Sequence, residues 1–538
     1  MSPFTRSAFR QCVAIRRGSV RRPAPGAAAL PERLEPRLAL AGVVGLVVTG
    51  DVLTITGDAL ANELWIDQVA PNQIRVGSLD KDSPTGLRDA RGTVGHEPLV
   101  FSGIRDVVVR LRGGDDTLSI GVREGLVDIG RGGDPEDFRS PVTVLRSLMV
   151  DAGTGADSIR AFSLDVEGGA TFLGGPGADG IRLKQTRAFG SLSVNGGLDH
   201  DFVSLSDATG AAGDVTLVGG PGFDQFFVFD GIEVGRNLTL LGGPGEDGVS
   251  VSSAVVHGDL RIEGGLGRDS LYVVHAMDVL GAATIAAGAG RDWVQVGNGL
   301  VVDGLLTVAV GAGDDAVSIV GRVVPQAGMV VELGTGSDQL RTENFENPWE
   351  GNVPAQDAAI HTAGDVVIAK GAGRFEAIID LPGEGTIGRD LVVRSAAAAS
   401  SVLVRNADVI RHLSVVTGQG VDDVTVAQSR VGENLVLATG AGRDTVALTT
   451  VQVLGDTRIE AGAGDDTVEL RHVSARTRLF ALMGAGDDAL TLVNVLLSAA
   501  PGDVSLAGGR RERDSLRLEM LRGNLTPTHA HFETVTFA

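Results

Sequence analysis

The residues best placed to do chemistry in this chain are aspartates, one at the end of each glycine-rich turn. Successive turns read GGPGAD ending at Asp179, GGPGFD at Asp224, GGPGED at Asp247 and GGLGRD at Asp269. They continue with GAGRD at Asp292, GAGDD at Asp315, GTGSD at Asp338, GAGRD at Asp444, GAGDD at Asp466 and GAGDD at Asp488. Neighbouring turns lie almost always 22 or 23 residues apart. Carboxylates on such a period have two chemistries open to them. They can gather a hard cation together with turn carbonyls. They can also accept backbone N–H bonds as turn residues, while the glycines supply positive φ.

Weaker copies extend the series. Asp116, Asp137, Asp157 and Asp201 keep the step near the start, and Asp422 and Asp514 keep it near the end. Between Asp338 and Asp422 the carboxylate is lost but the turn is not. GAGRF at 371–375 is the same turn with Phe375 in the aspartate place, and the next coil puts Ser400 there. The excess length between Asp338 and Phe375 is the segment 341–357, RTENFENPWEGNVPAQD. This reading gives eighteen register positions from Asp116 to Asp514, sixteen of them aspartate.

A fixed period of this size marks a solenoid, in which each unit contacts mainly its neighbours. Within one period the apolar residues alternate. Val446 and Leu448 follow Asp444, Val451 and Val453 follow them, and Gly455-Asp456 makes a corner before Ile459. The same columns are read at Val249, Val251, Val255, Leu260 and Ile262, and again at Val468, Leu470, Val473, Leu479 and Ala481. Alternation of this kind means short strands with one buried face, and no segment has a helical period. The expected fold is all-β: a single-stranded parallel β-helix (β-solenoid) of about 18 coils of 22–23 residues. A β-propeller would need a period of roughly 40–50 residues per blade.

Stacking such coils about 4.8 Å apart turns one aspartate per repeat into a column of carboxylates. Neighbouring charges at that distance repel by roughly 1 kcal/mol even in bulk water. Something must offset the repulsion: either bound cations, or local hydrogen-bond donors and solvent.

The turns resemble the haemolysin-type (RTX) nonapeptide GGxGxDxUx, as in GGPGADGI at 174–181, GGPGEDGVS at 242–250, GGLGRDSLY at 264–272 and GAGDDTVEL at 462–470. The resemblance implies Ca²⁺ ligation by the final aspartates and the preceding glycine carbonyls. The implied metal ligands are Asp116, Asp157, Asp179, Asp201, Asp224, Asp247, Asp269, Asp292, Asp315, Asp338, Asp422, Asp444, Asp466 and Asp488. The chain departs from that family in carrying one motif per coil, so an ion could be shared only between stacked turns. The residue before the aspartate varies freely, so it is not an essential ligand.

Formal net charge is −22 over 538 residues, unevenly spread. Residues 1–40 hold eight arginines against Glu32 and Glu35, a net of +6, so the remainder carries −28. Such a body repels nucleic acid and attracts cations. The single cysteine, Cys12, lies in the basic leader, so no disulfide can staple the body. The segment Arg33–Leu40, RLEPRLAL, resembles the LEPR-x-L-L segment at the N-termini of large exported bacterial surface proteins. That resemblance implies export to the cell surface or beyond. No apolar run reaches the roughly 18 residues that a membrane span needs.

The domain organisation expected is therefore a basic export leader at 1–41, an N-terminal cap and first coil at 42–110, the β-helix at 111–514 with the inserted loop 341–357, and a C-terminal cap at 515–538. GDALANELWI, with Asn62 in the aspartate place, is read as an early coil. The functional expectation is a non-enzymatic surface or extracellular structural or adhesive protein. Its expected partners are calcium ions and a cell-surface or extracellular polysaccharide or protein. The alternative is a carbohydrate-active β-helix enzyme, a polysaccharide lyase or hydrolase. A catalytic site needs a local, unrepeated cluster. Here the acids repeat everywhere, the nine histidines are scattered and aromatics are only 4%. His275 and His472 share a register, six past their aspartates. The insertion, with Phe345, Asn347, Trp349 and Glu350, is the one break in the repeat, and inserted loops on rigid scaffolds tend to carry binding residues.

Overall fold

A computed structural model describes residues 42–121, 143–343, 359–382, 385–497, 504–509, 513–519 and 528–537. Residues 1–41, with the basic leader and its LEPR-like segment, lie outside the described residues, as do Asp137 and the insertion residues Phe345, Asn347, Trp349 and Glu350. Two compact units are distinguished, 1–40 and 41–538, and only the second is described.

The second unit is a parallel β-solenoid. No helix occurs among the described residues, so none is long and apolar enough to cross a membrane. One typical coil shows how the sequence builds it. Leu238–Pro244 forms one strand, with Leu238, Leu240 and Gly242 facing inward. The GGPGED turn follows. Gly248–Val251 is the second strand and Ala254–Val256 the third. Each strand pairs in parallel with its counterpart in the next coil, for example Leu238 with Leu260, Val249 with Leu271 and Val255 with Asp278. The first strands of all coils make one sheet, and the second and third strands make another. Between them runs one continuous core of Val, Leu, Ile and Ala, nearly all of it at most 3% exposed. Stacked β-branched and aliphatic residues fill the narrow interior without bulky aromatics, which is why a chain so poor in aromatic residues can fold.

The third strand differs from the sequence reading in one coil. Ala254 and Val256 are buried and Val255 faces outward. Val451 and Val453, seven and nine past Asp444, are both buried as read, whereas Val255 stands eight past Asp247 and falls between the two inward places. Six residues past the aspartate, one residue in most described coils adopts a left-handed conformation, among them Ser163, Gln185, Asp230, Ser253, His275, Asn298, Gln428, Thr450, His472 and Asn494. This residue turns the chain and resets the alternation, so the inward positions become seven and nine past the aspartate. His275 and His472 do share a register, and it is that of this corner.

The register through the gap holds. Asp338 pairs with Phe375, and Phe375 with Ser400, so the coils lacking aspartate stack in sequence. At the start the register differs. Ser158 pairs directly with Thr117, so the coils of Asp116 and Asp157 are adjacent, 41 residues apart. Asp137 is therefore not a register position, and the count from Asp116 to Asp514 falls from eighteen to seventeen. The excess length falls between Thr117–Ile120 and Thr143–Leu145, in the stretch 122–142 outside the described residues.

Below the first coil, Gln73–Ser78 pairs antiparallel with both Glu63–Ala70 and Leu99–Ser102, a hairpin arrangement that occupies strand edges otherwise open to pairing. Trp65, capped by the Arg75 guanidinium 4.8 Å from its ring, packs over Gly77, where any Cβ would collide with the indole. At the other end Thr534–Phe537 pairs in parallel with Ser515–Glu519, so the stacking continues past Asp514.

The buried aspartate column

The aspartates do not line the surface of the turns. From Asp116 to Asp514 each one described is at most 3% exposed, with its carboxylate turned into the protein. The backbone N–H of each aspartate donates to Oδ1 of the aspartate one coil further on. Asp157 N–H reaches Asp179 Oδ1 at 2.8 Å, Asp179 reaches Asp201 at 2.9 Å, and Asp201 reaches Asp224 at 2.8 Å. The chain of bonds runs unbroken from Asn62, whose N–H and side-chain amide both donate to Asp116 Oδ1, up to Asp338. It resumes at Ser400 N–H to Asp422 Oδ1 and continues to Asp514. The donor is not local, as an Asx-turn would have it; it comes from the preceding coil. Each carboxylate thus satisfies a backbone N–H that lies at a turn, where the sheet ladder does not reach it.

The glycines make this possible. Two of them per turn have positive φ, for example Gly175 at 116° and Gly177 at 136°. A Cβ on either would run into the carbonyl oxygen of Gly153 or Gly155 in the coil below. The glycine five residues before the aspartate, such as Gly174, Gly219 or Gly264, lies directly against Oδ2 of its own aspartate.

The other oxygen is the anomaly. Oδ2 is buried without a hydrogen-bond partner in Asp116, Asp157, Asp179, Asp201, Asp224, Asp247, Asp269, Asp292, Asp315, Asp422, Asp444 and Asp466. Burial pushes eleven of these carboxyls up, and in several the next carboxylate adds to the effect while the inter-coil N–H bond opposes it. Asp157, Asp247 and Asp466 rise to about 6, Asp116, Asp179, Asp269 and Asp315 to about 7, and Asp201 to about 8. Asp224, Asp292 and Asp444 are also raised, chiefly by desolvation. A buried carboxylate with one unpartnered oxygen calls for a positive charge or a proton.

Asp338 has such a charge. Its Oδ2 lies 3.0 Å from Nζ of Lys370, which also donates to the carbonyls of Gly334 at 3.0 Å and Ala372 at 2.7 Å. Lys370 stands five residues before Phe375, a place taken in the aspartate coils by Gly, Ala, Thr or an aliphatic residue such as Leu333 or Met483. In the next coil Ser395 and Ser400 hold the same two places and bond to each other, Oγ to Oγ at 2.9 Å. In both coils that lack the aspartate, the residue five positions earlier is polar and bonds within or across the turn.

The Ca²⁺ arrangement implied by the turn motif can be tested on these donors. Ca²⁺ takes 6–8 oxygens. The turn carbonyls are committed to neighbouring coils: Gly174 and Pro176 accept from Gly153 and Gly155, Gly418 and Gly440 accept from Ala441 and Ala463, and Asp157 accepts from Gly180. In most coils one carboxylate oxygen, Oδ2, is left. No group of three or more His, Cys, Asp or Glu side chains converges on a common point among the described residues. In this geometry the donors reach that number of oxygens only with turn carbonyls that already accept inter-coil N–H bonds. What they do make is a structural ladder whose inner edge carries unneutralised oxygens.

A second ladder runs on the outside with the opposite polarity. There the N–H of the later coil donates to the side chain of the earlier one, as in Asp214, Asn237 and Asp259, and again in Asp390, His412, Asn434 and Asp456. Apart from Gly455-Asp456, already read as a corner, these residues lay in the sequence as an irregular polar position after Gly, Arg or Glu, a signal too variable in type to read.

Fold and ladder together define a protein class: a parallel β-solenoid whose coils are joined by buried aspartates. Comparison with known proteins adds no relative, since no family model, no curated protein and no solved structure matches the chain.

Proposed function

We propose that this chain is an exported, non-enzymatic β-solenoid that serves outside the cell as a structural or adhesive element. The observation that carries the reading is the use made of the aspartates. The residues best able to do acid–base or metal chemistry are instead each engaged, coil after coil, in holding a neighbouring backbone N–H. That is the behaviour of a scaffold, since a catalytic centre is local and unrepeated. Export rests on the LEPR-like segment and the strongly basic leader. Fractionating the native host should find the protein outside the cytoplasm, and recovery in the cytoplasm alone would overturn the export reading. Incubation with a polysaccharide panel should release no products; release would move the protein to the carbohydrate-active class.

Calcium binding is a second reading, favoured by the row of unpartnered Oδ2 atoms. It requires turn carbonyls to exchange inter-coil N–H bonds for the ion. Titration of Ca²⁺ into chelated protein, followed by calorimetry and circular dichroism, tests it: no heat and no change in melting would end it.

A further inference from the structure

The described part of this chain exposes few aromatic side chains, and they are not scattered. Phe189, Phe223, Tyr272 and Trp293 are the exposed ones, all within 189–293, and Phe223 and Tyr272 line a single cleft. The cleft has a volume of about 330 Å³ and crosses three successive coils on the outer face of one sheet. Its floor is Gly248 and Ser250, the outward residues of the middle coil. One wall is Phe227 from the coil before, and the other is Tyr272 from the coil after; their registers align through Ser250. Gly248 is central to this shape. Its φ is not left-handed, and a Cβ there would meet nothing nearer than 3.9 Å. Neither conformation nor crowding demands a glycine at that point, unlike the turn glycines. Its effect is to leave space.

The Phe227 wall is braced from behind. Phe227 stacks on Phe202 with ring centres 5.5 Å apart and planes tilted by 30°, and Arg182 lies 4.5 Å over the Phe202 ring. The two walls are two coils apart, about 9.6 Å at 4.8 Å per step. A ring held between aromatic faces needs carbon contacts of about 3.5–4.0 Å on each side. The opening therefore admits one ring. Around it stand hydrogen-bonding groups suited to hydroxyls: Gln225, Ser270, and at the rim Glu246 and Arg268. Apolar walls with a few polar groups at the edge are the usual makeup of a small-molecule site. The rim holds one acid and one base, and the surrounding body is strongly acidic, so a polyanion is disfavoured.

We infer that the cleft between Phe227 and Tyr272 binds one pyranose ring of a neutral hexose polysaccharide. The apolar C–H faces of the sugar lie against the two aromatic rings. Its equatorial hydroxyls meet Gln225, Ser250, Ser270 and the rim pair. Trp293, one coil beyond Tyr272 in register with Ser270, extends the apolar surface toward the next sugar of the chain. This assignment rests on the adhesive reading above and supplies its ligand class.

The test uses the full chain and neutral hexasaccharides of glucose, mannose and galactose, with an oligogalacturonate as the anionic control. Binding is followed by calorimetry and tryptophan fluorescence. At least one neutral hexasaccharide should bind at one per chain and more tightly than the uronate. Tyr272→Ala and Gly248→Phe should each weaken it at least tenfold while melting stays unchanged. Because Gly248 is unstrained and uncrowded, its replacement blocks the cleft without unfolding the coil. Absence of binding by every neutral probe, equal binding by the uronate, or wild-type affinity in Gly248→Phe overturns the proposal. A surface-attachment assay separates the two readings. Attachment by wild type that persists in Gly248→Phe leaves adhesion standing and removes the cleft from it. Oligosaccharide binding without attachment to any surface keeps the cleft and removes adhesion.

Discussion

Lys370 places its ammonium 3.0 Å from Oδ2 of Asp338, and neither side chain is exposed at all. This is the one place in the described column where a neighbouring side chain supplies the positive charge. It occurs where the column is interrupted: the next coil has Phe375 in the aspartate place, and the coil after that has Ser400. The lysine reaches back from the coil without a carboxylate to the last coil that has one.

Removing one partner of a buried pair leaves the other charge without compensation, at a cost of about 3–5 kcal/mol. Lys370→Met should therefore be strongly destabilising. The double variant Lys370→Met with Asp338→Asn should recover most of the loss, since it removes both buried charges and keeps Oδ1 as acceptor for the Asp315 N–H. Urea unfolding of the wild type, the single and the double variant checks this. Equal loss in single and double would mean that packing around Lys370, not its charge, matters.

The rest of the column sets a pH dependence. A carboxyl raised in the folded state binds its proton more tightly there than in the unfolded chain. Its stabilising contribution is complete below the unfolded value near 4 and is lost as pH rises through the folded value. For Asp157, Asp247 and Asp466 that value is about 6, for Asp116, Asp179, Asp269 and Asp315 about 7, and for Asp201 about 8. The melting temperature, measured in chelator, should therefore rise steadily on going from pH 8 to pH 5. Surface pairs work the other way: the Arg478 hydrogen bond holds Asp456 below the carboxylate range, and Asp465 is lowered too. Their contribution falls only at the acid end, below about pH 4. A melting temperature flat between pH 5 and 8 would contradict protonation of the column.

How much of this was legible in the sequence follows from what each signal depends on. The 22–23-residue step survives because every coil must close on itself, so Phe375 and Ser400 could be placed without a carboxylate to mark them. Turn glycines were legible because Gly175 and Gly177 face the backbone of the coil below, where no side chain fits. The direction of the aspartate was not. A carboxylate at a turn reads the same whether it faces a cation or the interior, and burial comes from the stacked neighbours. Asp137 misled because an insertion of nearly one coil's length mimics a coil. The left-handed corner escaped because Ser, Gln, His, Asn and Thr all occupy it, leaving only a position and no residue type. The Phe227–Tyr272 cleft was invisible, since residues 45 apart become neighbours only after the coil pitch is known.

The ladder itself makes a prediction at single residues. Asp201→Ala removes the acceptor for the Asp179 N–H, a buried donor then left unpaired, which costs about 1–3 kcal/mol. Asp201→Asn keeps a carbonyl oxygen in place of Oδ1 and adds an amide donor on the other side. Stability of the Asn variant should match or exceed wild type at pH 8 and lose its advantage at pH 5, where the native carboxyl is protonated. Thermal melts of both variants at the two pH values check this. An Asn variant as weak as the Ala variant at pH 8 would mean that the ladder bond is not what position 201 provides.

The two kinds of glycine should separate cleanly under the same substitution. Gly175 has φ of 116°, and its Cβ would enter the carbonyl of Gly153 one coil below. Gly175→Ala therefore combines a disfavoured backbone with a collision against main chain, and should destabilise by well over ~1 kcal/mol. Gly248→Ala meets neither obstacle, and its strand conformation gains from the loss of glycine's freedom in the unfolded chain. It should be neutral or stabilising by up to ~1 kcal/mol. Equilibrium unfolding of the pair makes the comparison on one scaffold. Should Gly248→Ala prove as damaging as Gly175→Ala, the glycine at 248 would be a demand of the fold, and the space above it would lose its meaning as a site.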